Sequence, residues 1–362
     1  MTLNNIGYAC GGKGDHDQAI QYYNQSLDMY RETYGDKSHP DIAMTLNNIG
    51  YACGGKGEHD KAIQYYNQSL DMYRETYGDK SHSDIAMTLN NIGIAYWSKG
   101  EHDQAIQYYN QSLDMYRETY GDKSHPDIAM TLNNIGYACG GKGEHDKAIQ
   151  YYNQSLDMYR ETYGDKSHPD IAMTLNNIGY ACGGKGEHDK AIQYYNQSLD
   201  MYRETYGDKS HPDIAMTFNN IGYACGGKGE HDKAIQYYNQ SLDMYGETYG
   251  DKSHPDIAST LNNIGTAFND KGDHDQAIQH YNQSLNMYRK TYGDKAHSDI
   301  AMTLNNIGIA YWSKGEHDQA IQYYNQSLDM YRETYGDKSH SDLAMTLNNI
   351  CIAYSGLIGK VR

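Results

Sequence analysis

Apolar residues return along this chain at helical spacing. Ile42, Leu46, Ile49 and Cys53 step by four, three and four, which places them on one face of an α-helix. Pro40 at the first helical position with Asp41 beside it marks the start, and Gly54-Gly55 reads as the end. We name this helix A. A second stripe, Ala19, Tyr23, Leu27, Tyr30 and Tyr34, is spaced by four, four, three and four and belongs to a longer helix B. Its start lies near Asp15 or Asp17, whose carboxylates suit the free N–H groups of a first turn, and Gly35 is its stop. Helix B spans about 20 residues and so measures about 30 Å. Asp36-Lys37-Ser38-His39 forms the turn into the next helix A. No alternating strand pattern appears, so the chain reads as all-α.

This helix pair is one 43-residue sentence written eight times. MTLNNIG returns with Met at 1, 44, 87, 130, 173 and 302, as MTFNNIG from Met216 and as STLNNIG from Ser259. The units predicted are 1–43, 44–86, 87–129, 130–172, 173–215, 216–258, 259–301 and 302–344, with a partial, capping repeat at 345–362. A fixed period of this length predicts a solenoid, in which each copy buries its apolar face on its neighbours. Gly7 and Ala19 are small where the two helices must approach, and Tyr23 fills the gap between them. Tyrosine is used heavily, 39 against 2 Phe, which suits half-buried seams where a ring packs and its hydroxyl reaches water.

A family resemblance rests on these residues. Leu89-x2-Ile92-Gly93-x2-Tyr96, then Ala105-x3-Tyr109, then Pro126, resembles the tetratricopeptide pattern, with Leu in the usual Trp place. The LNN early in helix A and the Gly-Asp-Lys-Ser-His-Pro-Asp turn resemble the kinesin-light-chain type, with one residue more than is usual, assigned to the turn. The resemblance covers the whole chain and implies a right-handed superhelical solenoid of antiparallel helix pairs. It implies a scaffold that binds other proteins rather than an enzyme, since such repeats serve many roles by binding.

Composition narrows the partner. A net charge of −17 and a pI near 5.3 disfavour nucleic acid and anionic membrane surfaces, which call for clustered Lys and Arg. The acidity is spread through the copies, on helix B, the turns and the start of helix A, and favours neutral or basic ligands. No signal peptide and no apolar run of membrane-spanning length is visible, so the expected location is cytoplasmic. Cys10, Cys53, Cys139, Cys182 and Cys225 share one repeat position, with Cys351 apart. Stacked repeats lie about 10 Å apart, beyond the ~7 Å limit for a disulfide, so the thiols read as reduced core residues.

The candidate site is the helix A face opposite the apolar stripe, which in the resembled family lines a concave groove for an extended peptide. Met1 opens it, and stacking predicts ladders along it. One ladder is Asn4-Asn5, Asn47-Asn48, Asn90-Asn91, Asn133-Asn134, Asn176-Asn177, Asn219-Asn220, Asn262-Asn263 and Asn305-Asn306. The other is Tyr8, Tyr51, Tyr137, Tyr180 and Tyr223. An Asn amide offers donor and acceptor together, so it can pair with a peptide backbone of any sequence; equally, one Asn of each pair can cap or brace a neighbouring helix. Helix A carries no charge from Met1 to Gly12, so a clamp for a terminal carboxylate is not expected. Copies three and eight put Trp97 and Trp312 where others have glycine, either as binding anchors or as the ancestral helix end.

No catalytic, metal or cofactor signature emerges. His16 and His39 recur once per copy, too far from their equivalents to build a metal cluster, and His16 is expected to pack against the A–B turn. No phosphate loop, nucleophile elbow or calcium loop is present. The seventh copy diverges most, with Phe268, Asn269, Asp270, His280, Asn286 and Lys290, and Gly246 should soften helix B of the sixth by about 1 kcal/mol. Two readings of function follow. The chain is a scaffold holding an extended peptide along the Asn/Tyr face, or it is a structural array whose ends, including Cys351, Leu357 and Ile358, stack copies end to end.

Overall fold

The structure, a computed structural model, describes residues 2–360 apart from 36, 79, 122, 165, 208, 251, 294 and 337–339, and only the backbone of 357–360. Met1, Asp36 and the side chains of Leu357 and Ile358 therefore lie outside it. Among the described residues there are seventeen α-helices and no strand, arranged as a tetratricopeptide-like solenoid of 43-residue period. Two compact units divide the chain, Met1–Lys185 and Gly186–Arg362. The first holds α1 (Leu3–Gly11), α2 (His16–Tyr34), α3 (Pro40–Gly55), α4 (His59–Tyr77), α5 (Ser83–Ser98), α6 (His102–Tyr120), α7 (Pro126–Gly141), α8 (His145–Tyr163) and α9 (Pro169–Gly184). The second holds α10 (His188–Tyr206), α11 (Pro212–Gly227), α12 (His231–Tyr249), α13 (Pro255–Asp270), α14 (His274–Tyr292), α15 (Ser298–Ser313), α16 (His317–Tyr335) and α17 (Ser341–Lys360).

Helix α3 starts where Pro40 and Asp41 place it. His39 is the cap, its Nδ1 accepting the Asp41 N–H at 3.2 Å. The preceding helix B braces this cap: the Tyr34 ring stacks on His39 at 3.5 Å, and its hydroxyl donates to Asp41 Oδ2 at 3.1 Å. The stop differs from the expectation. Gly54 and Gly55 stay helical, and the chain turns at Lys56-Gly57, where Gly57 takes φ +77°. Helix α5, with Trp97-Ser98 at the equivalent places, has the same 16-residue length as α3, so the glycine pair does not set the end. Helix B starts at His16 under Asp15, whose Oδ1 accepts the Gln18 N–H at 3.1 Å, and stops at Gly35 with φ +67°.

Packing follows the stripes. Within each unit a helix A lies against its own helix B, as α3 does on α4 and α11 on α12, and a helix B against the next helix A, as α4 does on α5. The helix A glycine is the contact point within a pair. A Cβ built on Gly50 would lie 2.7 Å from Tyr66 Cε1, so only glycine admits the ring, which is 4% exposed. The Ser69 hydroxyl then donates to the Ala43 carbonyl at 2.7 Å, satisfying a buried polar group inside the seam. Successive copies are also joined on the surface, Lys56 reaching Asp17 at 2.7 Å and Lys99 reaching Asp60 at 2.8 Å. Cys53, Cys139, Cys182 and Cys225 are buried, Cys10 is half-buried, and Cys351 is exposed, none of them in a disulfide. Gly246 does not interrupt α12, though its last turn lacks the basic residue present in its neighbours.

Candidate ligand-binding face

The asparagine pairs divide their labour. The first members, Asn4, Asn47, Asn90, Asn133, Asn176, Asn262 and Asn305, are buried, and Asn219 is half-buried. Of the second members, Asn5 is exposed, while Asn48, Asn91, Asn134, Asn177, Asn220, Asn263 and Asn306 are half-buried. In the first unit Asn91, Asn134 and Asn177 donate through Nδ2 to Oδ1 of Asn47, Asn90 and Asn133 of the preceding copy, at 3.3, 3.0 and 3.2 Å. In the second unit Asn263, Asn306 and Asn349 do the same to Asn219, Asn262 and Asn305. Asn4 instead donates to Thr45 Oγ1 at 3.0 Å. The amides thus brace helix A to helix A. On Asn91, Asn134 and Asn177 the Oδ1 atoms have no donor among the described residues.

The tyrosines stand outside this network. Tyr8, Tyr51, Tyr180 and Tyr223 are 58–75% exposed. Tyr137 is 45% exposed because Trp97 of the preceding copy lies over it, ring centroids 4.8 Å apart. Burial pushes the Tyr137 hydroxyl pKa up, with Tyr180 nearby adding to it. Ile94 holds the tyrosine place on α5 and is 43% exposed. Trp312 is 41% exposed on α15. Trp97 is half-buried, and its Nε1 donor meets no acceptor among the described residues.

Between these rings the face carries recesses. One of about 220 Å³ is lined by Tyr51, Gly54, Gly55, His16, His59 and Ile94, and one of about 130 Å³ by Trp97, His102, Tyr137, Gly140, Gly141 and Tyr180. In the second unit a recess of about 260 Å³ lies among His188, Tyr223, Gly226, Gly227, His231 and Asp270. The glycine pairs make the floors, and the histidines fill the gaps they leave. A Cβ on Gly55 would lie 2.4 Å from His16 Cε1, so His16 packs on the next copy's helix A. Gly55 lies at the end of α3 beside an A–B turn, and that this turn is the following copy's is a tertiary fact that the repeat alone does not carry. A larger cavity, about 460 Å³, opens between α6 and α8 among Asn110, Asp114, Arg117, Lys147, Gln150 and Gln154. Its mixed charges and wide mouth make a solvated seam between B helices.

No charge falls on helix A across 42–55, 85–98, 128–141 or 171–184. The face of the first unit therefore offers aromatic rings, amide oxygens and histidine edges in a chain of net charge −17. Among the described residues this surface pairs no nucleophile with a base. Among the described residues no helix is long and apolar enough to cross a membrane.

The family model of the tetratricopeptide repeat matches residues 1–75, 84–161, 127–204, 170–247, 213–290, 256–333 and 299–360. No curated protein matches the chain. Three solved structures share its fold. A Podosopora anserina putative kinesin light chain with nearly identical repeats is 14% identical over 58% of this chain and 98% of its own, TM-score 0.50. The apo quorum sensor NprR from B. thuringiensis is 16% identical over 91% of this chain and 86% of its own, TM-score 0.66. A Rap protein complexed with competence and sporulation factor is 12% identical over 99% of this chain and 98% of its own, TM-score 0.58.

Proposed function

The chain belongs to the tetratricopeptide repeat family, and from that premise we propose that it is a non-enzymatic, cytosolic scaffold that holds an extended protein segment on its helix A face. The observation that carries this reading is the row of exposed tyrosines on an uncharged surface. Surface rings left bare in five of the copies, at Tyr8, Tyr51, Tyr137, Tyr180 and Tyr223, are the apolar anchors that interfaces use, and the asparagine oxygens between them accept backbone N–H groups. The Rap protein held with competence and sporulation factor supports the reading, since the same fold there is found with a bound factor. The asparagines enter it in a changed role. The buried members set the spacing of the helices, and Asn91, Asn134 and Asn177, each with one amide hydrogen spent on that brace, still offer their oxygens.

The test compares the protein with its Tyr51→Ala and Tyr180→Ala variants on an array of random peptides. Both residues are exposed, so the variants keep the fold, which circular dichroism verifies. Capture of peptides by the parent and its loss in the variants is the expected result; identical capture by all three rejects the reading.

A further inference from the structure

We infer that the segment bound on the first unit is proline-rich and lies as a polyproline II helix, with one turn for each repeat. This rests on the scaffold reading and names its ligand chemistry. The argument begins with spacing. Asn134 bonded to Asn90 at 3.0 Å, and Asn177 to Asn133 at 3.2 Å, hold α5, α7 and α9 side by side. Helices packed this closely lie about 8–10 Å apart. Ile94, Tyr137 and Tyr180 take equivalent places on those three helices, so the ring positions recur at that spacing. A polyproline II helix has three residues per turn and rises ~3.1 Å per residue, so one side of it returns every ~9.3 Å. An α-helix turns every ~5.4 Å. A β-strand returns to one face every ~6.6 Å and at three residues presents the opposite face. Only the polyproline helix puts one side chain on each copy without losing register.

The chemistry agrees with the spacing. Exposed Tyr51 and Tyr180 and the Trp97–Tyr137 pair give flat rings on which proline rings stack. A polyproline helix makes no internal hydrogen bonds, so its carbonyls are free to accept the tyrosine hydroxyls. Its non-proline residues retain N–H groups, which the unpaired Oδ1 atoms of Asn134 and Asn177 accept. The face from 128 to 141 and from 171 to 184 carries no charge, which matches a neutral proline-rich ligand and gives nothing to an ionic one. The pre-formed ligand also loses little conformational entropy on binding.

The experiment is isothermal titration of the full chain with three capped peptides of equal length. The first repeats Pro-Ala-Gln, the second has the same composition with its prolines shuffled out of the three-residue period, and the third replaces each proline of the first by serine. The first should bind, the second and third at least about tenfold more weakly, and Tyr180→Ala should weaken the first about tenfold while leaving the melting curve unchanged. Equal binding of the second or third peptide overturns the inference, as does failure of the first to bind. The random-peptide array separates this from the scaffold reading. Peptides captured through Tyr180 but lacking the three-residue proline period sink the proline inference alone; no Tyr180-dependent capture at all sinks both.

Discussion

Three glycines in α7 should answer the same substitution in different ways. Gly140→Ala adds a methyl group to open space, since nothing lies within 4 Å of the new Cβ. The helix then gains the usual advantage of alanine, about 1 kcal/mol. Gly136→Ala gains the same advantage but places its Cβ 2.7 Å from Tyr152 Cε1 and 2.8 Å from Cδ1. Relaxed carbon contacts lie at about 3.5–4.0 Å, so α7 and α8 must part by nearly an ångström. Tyr152 is only 2% exposed and has nowhere to swing. Overpacking of this kind costs about 1–3 kcal/mol, and spreading the helices also loosens Leu132 and Ala148, so the balance should fall about 1–2 kcal/mol against the variant. Gly141→Ala meets His102 Cε1 at 2.9 Å, the end of a side chain from the preceding copy, and should fall between the other two. Because repeat arrays need not unfold in one step, the readout is hydrogen exchange of α7 and α8 amides together with urea denaturation. Adding Tyr152→Ala should reverse the sign of the Gly136 effect. If Gly136→Ala and Gly140→Ala stabilise the protein alike, the glycine–tyrosine seam is not what fixes the helix pair.

Other expectations follow from the same contacts. Asn90→Ala removes the acceptor of Asn134 Nδ2 from a buried position and should cost about 1–3 kcal/mol, seen as faster exchange in α5 and α7. Tyr77, Tyr120, Tyr163 and Tyr249 have hydroxyls pushed up to about 12, first by burial and then by the nearby aspartates. A folded pKa above the unfolded value of about 10 means that this stabilisation is full below pH 10 and is lost as pH rises toward 12. Tyrosinate absorbance should therefore lag in the folded protein and rise together with loss of helical dichroism; complete ionisation near pH 10 with helicity intact would contradict it. Gly246→Ala, at a site with nothing within 4 Å, should stabilise α12 by about 1 kcal/mol, and hydrogen exchange in the parent should show that helix less protected than α8 or α10.

The helices were legible because their signals are local. Ile42, Leu46 and Ile49 mark a face, Pro40 a start and Gly35 a stop, and none of these needs knowledge of the next copy. The period itself supplied the solenoid. What the sequence did not disclose are relations between copies. Nothing local tells that Asn134 bonds to a residue 44 positions back, or that the floor under His16 is Gly55. Seen alone, Gly54-Gly55 resembles a terminus, whereas in the stack Gly55 is the floor on which the preceding copy's histidine lies.

That distinction also bears on Trp97. With Gly54-Gly55 a floor, the change to Trp97-Ser98 in copy three is not a change of helix length but of relief. An indole there fills space that other copies leave open and covers Tyr137, lowering its exposure below that of Tyr51 and Tyr180. A ligand sliding along identical copies would have no preferred register, because every one-repeat shift gives the same contacts. On the proposed reading, Trp97 is the residue that would remove that degeneracy in the first unit. It supplies one tilted aromatic pair among single rings, and Ile94 beside it supplies one place with no hydroxyl. Trp97→Gly should therefore leave helix A intact, as α3 and α7 already show for glycine at that position, and leave affinity for a long repetitive ligand within a few-fold. A short ligand labelled at one end should change more, its paramagnetic broadening spreading from one copy to several. A label that stays confined to one copy in the variant would place the register elsewhere.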